Sequence, residues 1–154
     1  MSKVSAQEVK KLRELTGARV LDCKKALEEA KGDFAQAEKI VAKKGLARAE
    51  KNQDRETAAG IIAQYVHNNG KVGALVEIRC ETDFVAQNKE FKQMAKDVAM
   101  QVVAMNPQNV DELLAQEFIK DSSLKIENLV KTLSGKIGEK MVISRFCRFG
   151  LGEE

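Results

Sequence analysis

Three cysteines and one histidine are the side chains best suited to nucleophilic or metal chemistry, and their spacing serves neither. Cys23, Cys80 and Cys147 lie far apart, in no zinc-ligand pattern, and their odd number frames no disulfide set. Cys23 and Cys80 read as small buried filler. His67 is the only histidine, which excludes a histidine-rich metal site; at a turn edge it reads as structural. Neither G-x-x-x-x-G-K-[ST] nor G-x-G-x-x-G occurs, so no phosphate loop is expected. Carboxylates are plentiful, but none stands in a recognisable pair or beside a nucleophile and base. The expectation is a chain with no catalytic residue, no metal and no cofactor. What remains is binding. In Glu81-Thr82-Asp83-Phe84-Val85-Ala86-Gln87-Asn88 an acid and a large apolar ring stand together between two regular elements. A ring exposed at such a tip costs solubility unless a pocket elsewhere receives it. The alternative is that Phe84 folds back onto its own helix as a cap contact.

The elements that must present this tip follow from periodicity. Ser5 and Glu8 have capping-box spacing, Val4 and Val9 that of a hydrophobic staple, and Thr16-Gly17 ends the first helix. A second helix over 20–31 places Val20, Cys23, Leu27 and Ala30 on one stripe. If Val20 points inward, the adjacent Leu21 points at least partly outward; the alternative is that both belong to a wide buried face. Asp33 caps a third helix, with Ala37, Ile40 and Val41 apolar and Gly45 as its stop. The charge-dense 46–59 reads as a solvated connector. Residues 60–80 alternate as a hairpin around Asn69-Gly70, a type I′ turn signal. A long helix follows Asn88 and ends at Asn106-Pro107. A short helix over 110–115, another over 124–137 and a final strand over 141–149 complete the chain. The predicted fold is α+β: a three-helix module over 1–45, the connector over 46–59, and a core of antiparallel sheet and helices over 60–154.

Composition sets the class. The chain has 154 residues, 44% hydrophobic and 32% charged, which fits a globular protein with one ordinary domain and a small one. A net charge of +3 is too mild to argue for nucleic acid. No apolar run approaches the ~18 residues of a membrane span. The start, Met1-Ser2-Lys3-Val4-Ser5, lacks the apolar core of a secretion signal, so a cytoplasmic protein is expected.

Three motifs carry a resemblance. Thr82-Asp83-Phe84-Val85-Ala86-Gln87-Asn88 closely resembles the signature of bacterial elongation factor Ts, usually T-D-F-V-A-R-N, with Gln87 in place of the arginine. Leu12-Arg13-Glu14-Leu15-Thr16-Gly17-Ala18 and Asp22-Cys23-Lys24-Lys25-Ala26-Leu27 are similar to the family's N-terminal segment; Arg19-Val20-Leu21 stand where it commonly has G-M-M. Ile137-Gly138-Glu139 through Arg145-Phe146-Cys147-Arg148-Phe149 is similar to its end.

The resemblance implies a module like the ubiquitin-associated three-helix fold. It also implies a guanine-nucleotide exchange factor that binds elongation factor Tu, both GDP-bound and nucleotide-free. Phe84 would wedge between two helices of that partner, Asp83 would hold the distorted state, and Thr82 and Val85 would frame the wedge. Mg²⁺ and then GDP would leave. Val20 and Leu21 would hold a second surface, since the methionines they replace are contact residues. Longer family members carry two related core subdomains; this chain has room for one, so a homodimer is expected. The final strand invites a second copy at its edge, with Phe146, Cys147 and Phe149 as the interface and Cys147 facing its mate. For Cys147 the alternative is burial in a monomer core. No direct contact with nucleic acid or membrane is expected. An adaptor that binds its partner without affecting nucleotide is the alternative function; RNA binding through the basic front end is a third.

Overall fold

The computed structural model of the chain describes residues 3–153. Three helices come first: α1 (Ala6–Thr16), α2 (Val20–Glu29) and α3 (Phe34–Lys51). Ser5 caps α1 with the full capping box, as its spacing predicts, and Gly17 leaves the helix in the left-handed region at φ 65°. Asp33 accepts from the Gln36 N–H at the start of α3. Leu12, Cys23, Ala26, Leu27 and Ala37 are fully buried where the three helices meet.

Gly45 does not stop α3. The helix continues to Lys51, so the first half of the expected connector is helical and Ala49 is buried. The reason lies across the interface. α3 crosses α7 (Ile126–Ile137), and Gly45 faces Gly135 there. A Cβ on Gly135 would lie 2.0 Å from the Gly45 carbonyl oxygen. This glycine pair serves a close approach of two backbones.

The core is a three-stranded antiparallel sheet in the order β1 (Ala59–Val66), β2 (Val72–Cys80), β5 (Val142–Gly150). The returning strand joins the hairpin as expected, and it pairs with β2. One sheet face receives α5 (Lys89–Met105), whose Phe91, Ala95, Val98 and Val102 are fully buried with Val76 and Ile78. Full burial of one such side chain is worth about 1.5–3 kcal/mol. Gln101, also fully buried on α5, accepts from the Ile119 N–H at 2.9 Å and donates to the Glu117 carbonyl at 2.9 Å. It thereby anchors a small hairpin of β3 (Glu117–Phe118) and β4 (Asp121–Lys125), which follows α6 (Val110–Ala115). That hairpin takes over the first residues of the helix expected over 124–137.

The β1–β2 turn also differs from expectation. Gly70 N–H donates to His67 carbonyl, and only Gly70, at φ 71°, is left-handed. A two-residue I′ turn needs positive φ at both central residues, so this is a longer connection with a left-handed glycine behind the turn. Among the described residues no helix is long and apolar enough to cross a membrane. Among the described residues no group of three or more His, Cys, Asp or Glu side chains gathers where a metal ion could be held.

Candidate partner-binding site

Residues 82–88 leave the end of β2 and form one helical turn, α4 (Asp83–Ala86), before α5 begins. Thr82 caps that turn, its hydroxyl accepting from the Val85 N–H at 3.3 Å. Asn88 caps α5, its side chain accepting from the Glu90 and Phe91 N–H groups. Two caps in seven residues fix the direction of the short turn. Phe84 is 89% exposed, so the ring does not fold back onto its own helix. Asp83 is exposed beside it. Val85 and Ala86 are buried in the core cluster.

This corrects one expectation: Val85 cannot frame a wedge from outside, because the turn that lifts Phe84 presses Val85 inward. Thr82 also has work within the chain. Its N–H and hydroxyl both donate to the Glu139 carboxylate, at 3.1 and 2.7 Å. Glu139 is a residue of the site that the sequence did not single out. The pair is 57 positions apart, and only the fold brings it together. Gln87, in the place of the usual arginine, is exposed and accepts from Lys92 Nζ at 2.7 Å.

Beneath the tip, Cys80 donates its thiol to the Thr82 carbonyl at 3.3 Å. Burial pushes that thiol up to about 11, and the carboxylates of Glu139, Asp83 and Glu81 add to the shift. Cys23 is buried too, whereas Cys147 is exposed. A thiol-reactive chromophore should therefore label one cysteine of the native chain quickly and all three after denaturation. Rapid native labelling of Cys80 would contradict this geometry.

A second surface lies on the helical module. Val20 is 52% and Leu21 60% exposed, so both point outward. Of the expected stripe, Cys23, Leu27 and Ala30 are buried, joined by Ala26, while Val20 opens α2 ahead of the packed turns and is exposed. Val20 forms one wall of a groove of about 370 Å³ between α1 and α2. Val4, Ala6 and Val9 contribute its apolar surface and Lys10, Arg13 and Lys24 its charge. Such a groove suits an apolar segment flanked by acidic groups.

The two surfaces share a support. Arg48 on α3 bonds Asp22 on α2 at 2.6 Å and the Gly135 carbonyl on α7 at 3.2 Å. Asp22 is next to Leu21. Four residues beyond Gly135 stands Glu139, whose own carbonyl accepts from Ser134 Oγ at 2.6 Å. The last turn of α7 thus touches the helical module on one side, and the residue just beyond its cap, Glu139, touches the tip on the other.

The sheet face away from α5 is the third feature. Ile62, Val66, Leu75 and Phe149 are exposed on it, and Leu75 pairs with Cys147. Phe149 is 75% exposed. Phe146 is not on this face: it packs, partly buried, against the core cluster. Side chains alternate along a strand, so Cys147 and Phe149 share one face and Phe146 must take the other. On the same outer face Arg145 Nε bonds Glu77 Oε2 at 2.6 Å and holds the Glu77 carboxyl below its ordinary range.

Residues 81–153 match the family model described as Elongation factor TS. Nearly the whole chain is similar to curated proteins named Elongation factor Ts. That of Oleidesulfovibrio alaskensis is 38% identical, with 99% of this chain and all of the relative aligned. That of Thermotoga neapolitana is 41% identical, with 98% of each aligned. A chloroplastic Elongation factor Ts from Rhodomonas salina is 40% identical over 99% of this chain and 90% of its own. The first of these alignments runs over 197 positions against the 154 residues here, so some of the relative's residues have no counterpart.

Proposed function

Because this chain belongs to the elongation factor Ts family, we propose that it promotes release of GDP from elongation factor Tu. The observation that carries the reading is Phe84: a large ring held almost fully in solvent on a turn capped by Thr82 and followed at once by the capped start of α5. A phenylalanine stays exposed in this way at a cost that a receiving pocket on a partner would offset. The ring enters between two helices of the partner's nucleotide-binding domain, and Asp83 bonds the displaced segment. That displacement loosens the grip on Mg²⁺ and the phosphates. Val20 and Leu21 engage a second surface of the same domain. No covalent step belongs to this chain.

The energetics is one of linkage. A factor that weakens nucleotide binding is itself weakened by nucleotide to the same extent. Burying one phenylalanine yields about 1.5–3 kcal/mol, comparable to the 1–3 kcal/mol of ordinary coupling. One ring therefore supplies a useful share of it. The deciding measurement is release of a fluorescent GDP from elongation factor Tu with and without this chain. Faster release supports exchange; binding with unchanged release would leave an adaptor.

Leu21→Asp is expected to weaken binding of elongation factor Tu while circular dichroism stays unchanged, because Leu21 is exposed. An unfolded helical module in that variant would sink the assignment.

Assembly is the remaining part. A second copy covers the outer sheet face, with Cys147 and Phe149 in the contact and Phe146 left in the core. Light scattering under reducing conditions should give a mass near twice the 17.0 kDa chain, and Phe149→Asp should return it to one chain. A chain that scatters as a monomer at every concentration would exclude the two-fold contact.

A further inference from the structure

The ladder between β2 and β5 ends at the pair Arg79–Val142. Beyond it, backbone bonding is replaced by carboxylates that reach across. Glu81 Oε1 accepts from the Lys140 N–H at 2.7 Å. In the opposite direction, Glu139 accepts from the Thr82 N–H and the Thr82 hydroxyl. Each segment thus supplies the acid that satisfies the other's amide. We propose that Glu139 is a positioning residue of the exchange site: its carboxylate clasps Thr82 and so fixes the direction in which α4 presents Phe84.

Three observations support this. The Thr82 hydroxyl that donates to Glu139 is the same oxygen that caps α4 through the Val85 N–H. The clasp therefore orients the cap, and the cap orients the turn. Glu139 is itself held, since its carbonyl accepts from Ser134 Oγ, and Gly138 before it is left-handed at φ 88°, which turns the chain back toward the tip. Finally, a charged acceptor binding two donors on one residue is stronger than a neutral contact. A ring that must enter a partner in one orientation gains from such pre-organisation, because misplacement by about 1 Å can cost on the order of a hundredfold.

The inference rests on the exchange reading above, and its test separates the two. Parent, Phe84→Ala, Glu139→Ala, Glu139→Gln and Thr82→Ala are compared for acceleration of GDP release at subsaturating concentration. Each is also followed by thermal melting and by amide hydrogen exchange over residues 81–88. Glu139→Ala is expected to lower the acceleration about tenfold, the scale of a lost charged hydrogen bond, and to speed exchange at the Thr82 and Val85 amides. Glu139→Gln keeps one oxygen for the Thr82 N–H but neither the charge nor the second acceptor, and should fall between Glu139→Ala and the parent, whereas a role of the charge alone would give no recovery.

Should Glu139→Ala fail to fold, Thr82→Ala cuts the same clasp from the other side. Where both fold, the double variant should lose less than the sum of the two single losses, since both cut the bond from the Thr82 hydroxyl. A Glu139→Ala chain that accelerates release like the parent, or losses that simply add, overturns the clasp while exchange stands. A parent that leaves GDP release unchanged overturns both.

Discussion

Phe84→Ala should cut promoted GDP release by about thirtyfold, the equivalent of a binding hot spot of about 2 kcal/mol. Its melting temperature should stay close to that of the parent. The two halves of this expectation come from one fact, the ring's 89% exposure. An exposed side chain away from a cap or a core contact contributes within about 0.5 kcal/mol to stability. Neither the Thr82 cap nor the burial of Val85 depends on the ring. Stopped-flow release of a fluorescent GDP, together with a melting curve, checks both halves. A variant that melts far lower but exchanges normally per folded molecule would mean the ring belongs to the core.

Gly135→Ala should destabilise the chain strongly, and Gly45→Ala should not. The two glycines face each other, yet their surroundings differ. A Cβ on Gly135 would lie 2.0 Å from the Gly45 carbonyl oxygen and 2.3 Å from its carbon, both rigid backbone atoms. α3 and α7 would have to part, at a cost of about 1–3 kcal/mol or more. For a chain of this size that lowers the melting temperature by about 2–4 °C per kcal/mol. A Cβ on Gly45 meets nothing nearer than 3.6 Å, an ordinary contact. There alanine should recover up to about 1 kcal/mol of helix propensity. Calorimetry of the two variants decides the matter: equal melting temperatures would show that the helices are not held at this crossing.

The contrast between these glycines also shows what could be seen in the sequence. Helix starts were legible wherever a cap is local, as at Ser5, Asp33 and Asn88. The tip was legible because Thr82, Asp83 and Phe84 are neighbours. Gly45 misled because a glycine in a helical pattern signals either a stop or a close approach, and its partner stands in a distant element. Val85 misled for a related reason. Adjacent residues on a helical turn point about 100° apart, so one can be exposed and the next buried, and nothing local says which side is the core. The Glu139 clasp was invisible because both donors lie in a segment 57 residues away. Strand alternation could have placed Phe146 on the core side of β5, since it is the neighbour of Cys147. The β3–β4 hairpin is short and largely polar, and it owes its place to buried Gln101 rather than to an apolar pattern of its own.

Because α3 runs unbroken from the helical module into the crossing with α7, no flexible tether separates Leu21 from Phe84. If both surfaces dock as proposed, landing of either would bring the other to its target as part of the same body, at an effective concentration set by geometry rather than by chain length. Avidity of this kind needs no new contact, but it tolerates no change in spacing. An elongation factor Tu whose two docking surfaces move relative to one another with the nucleotide it holds could satisfy one contact only by straining the other. Departure of the factor would then be timed by the partner's own conformational cycle, with this chain acting as a fixed caliper.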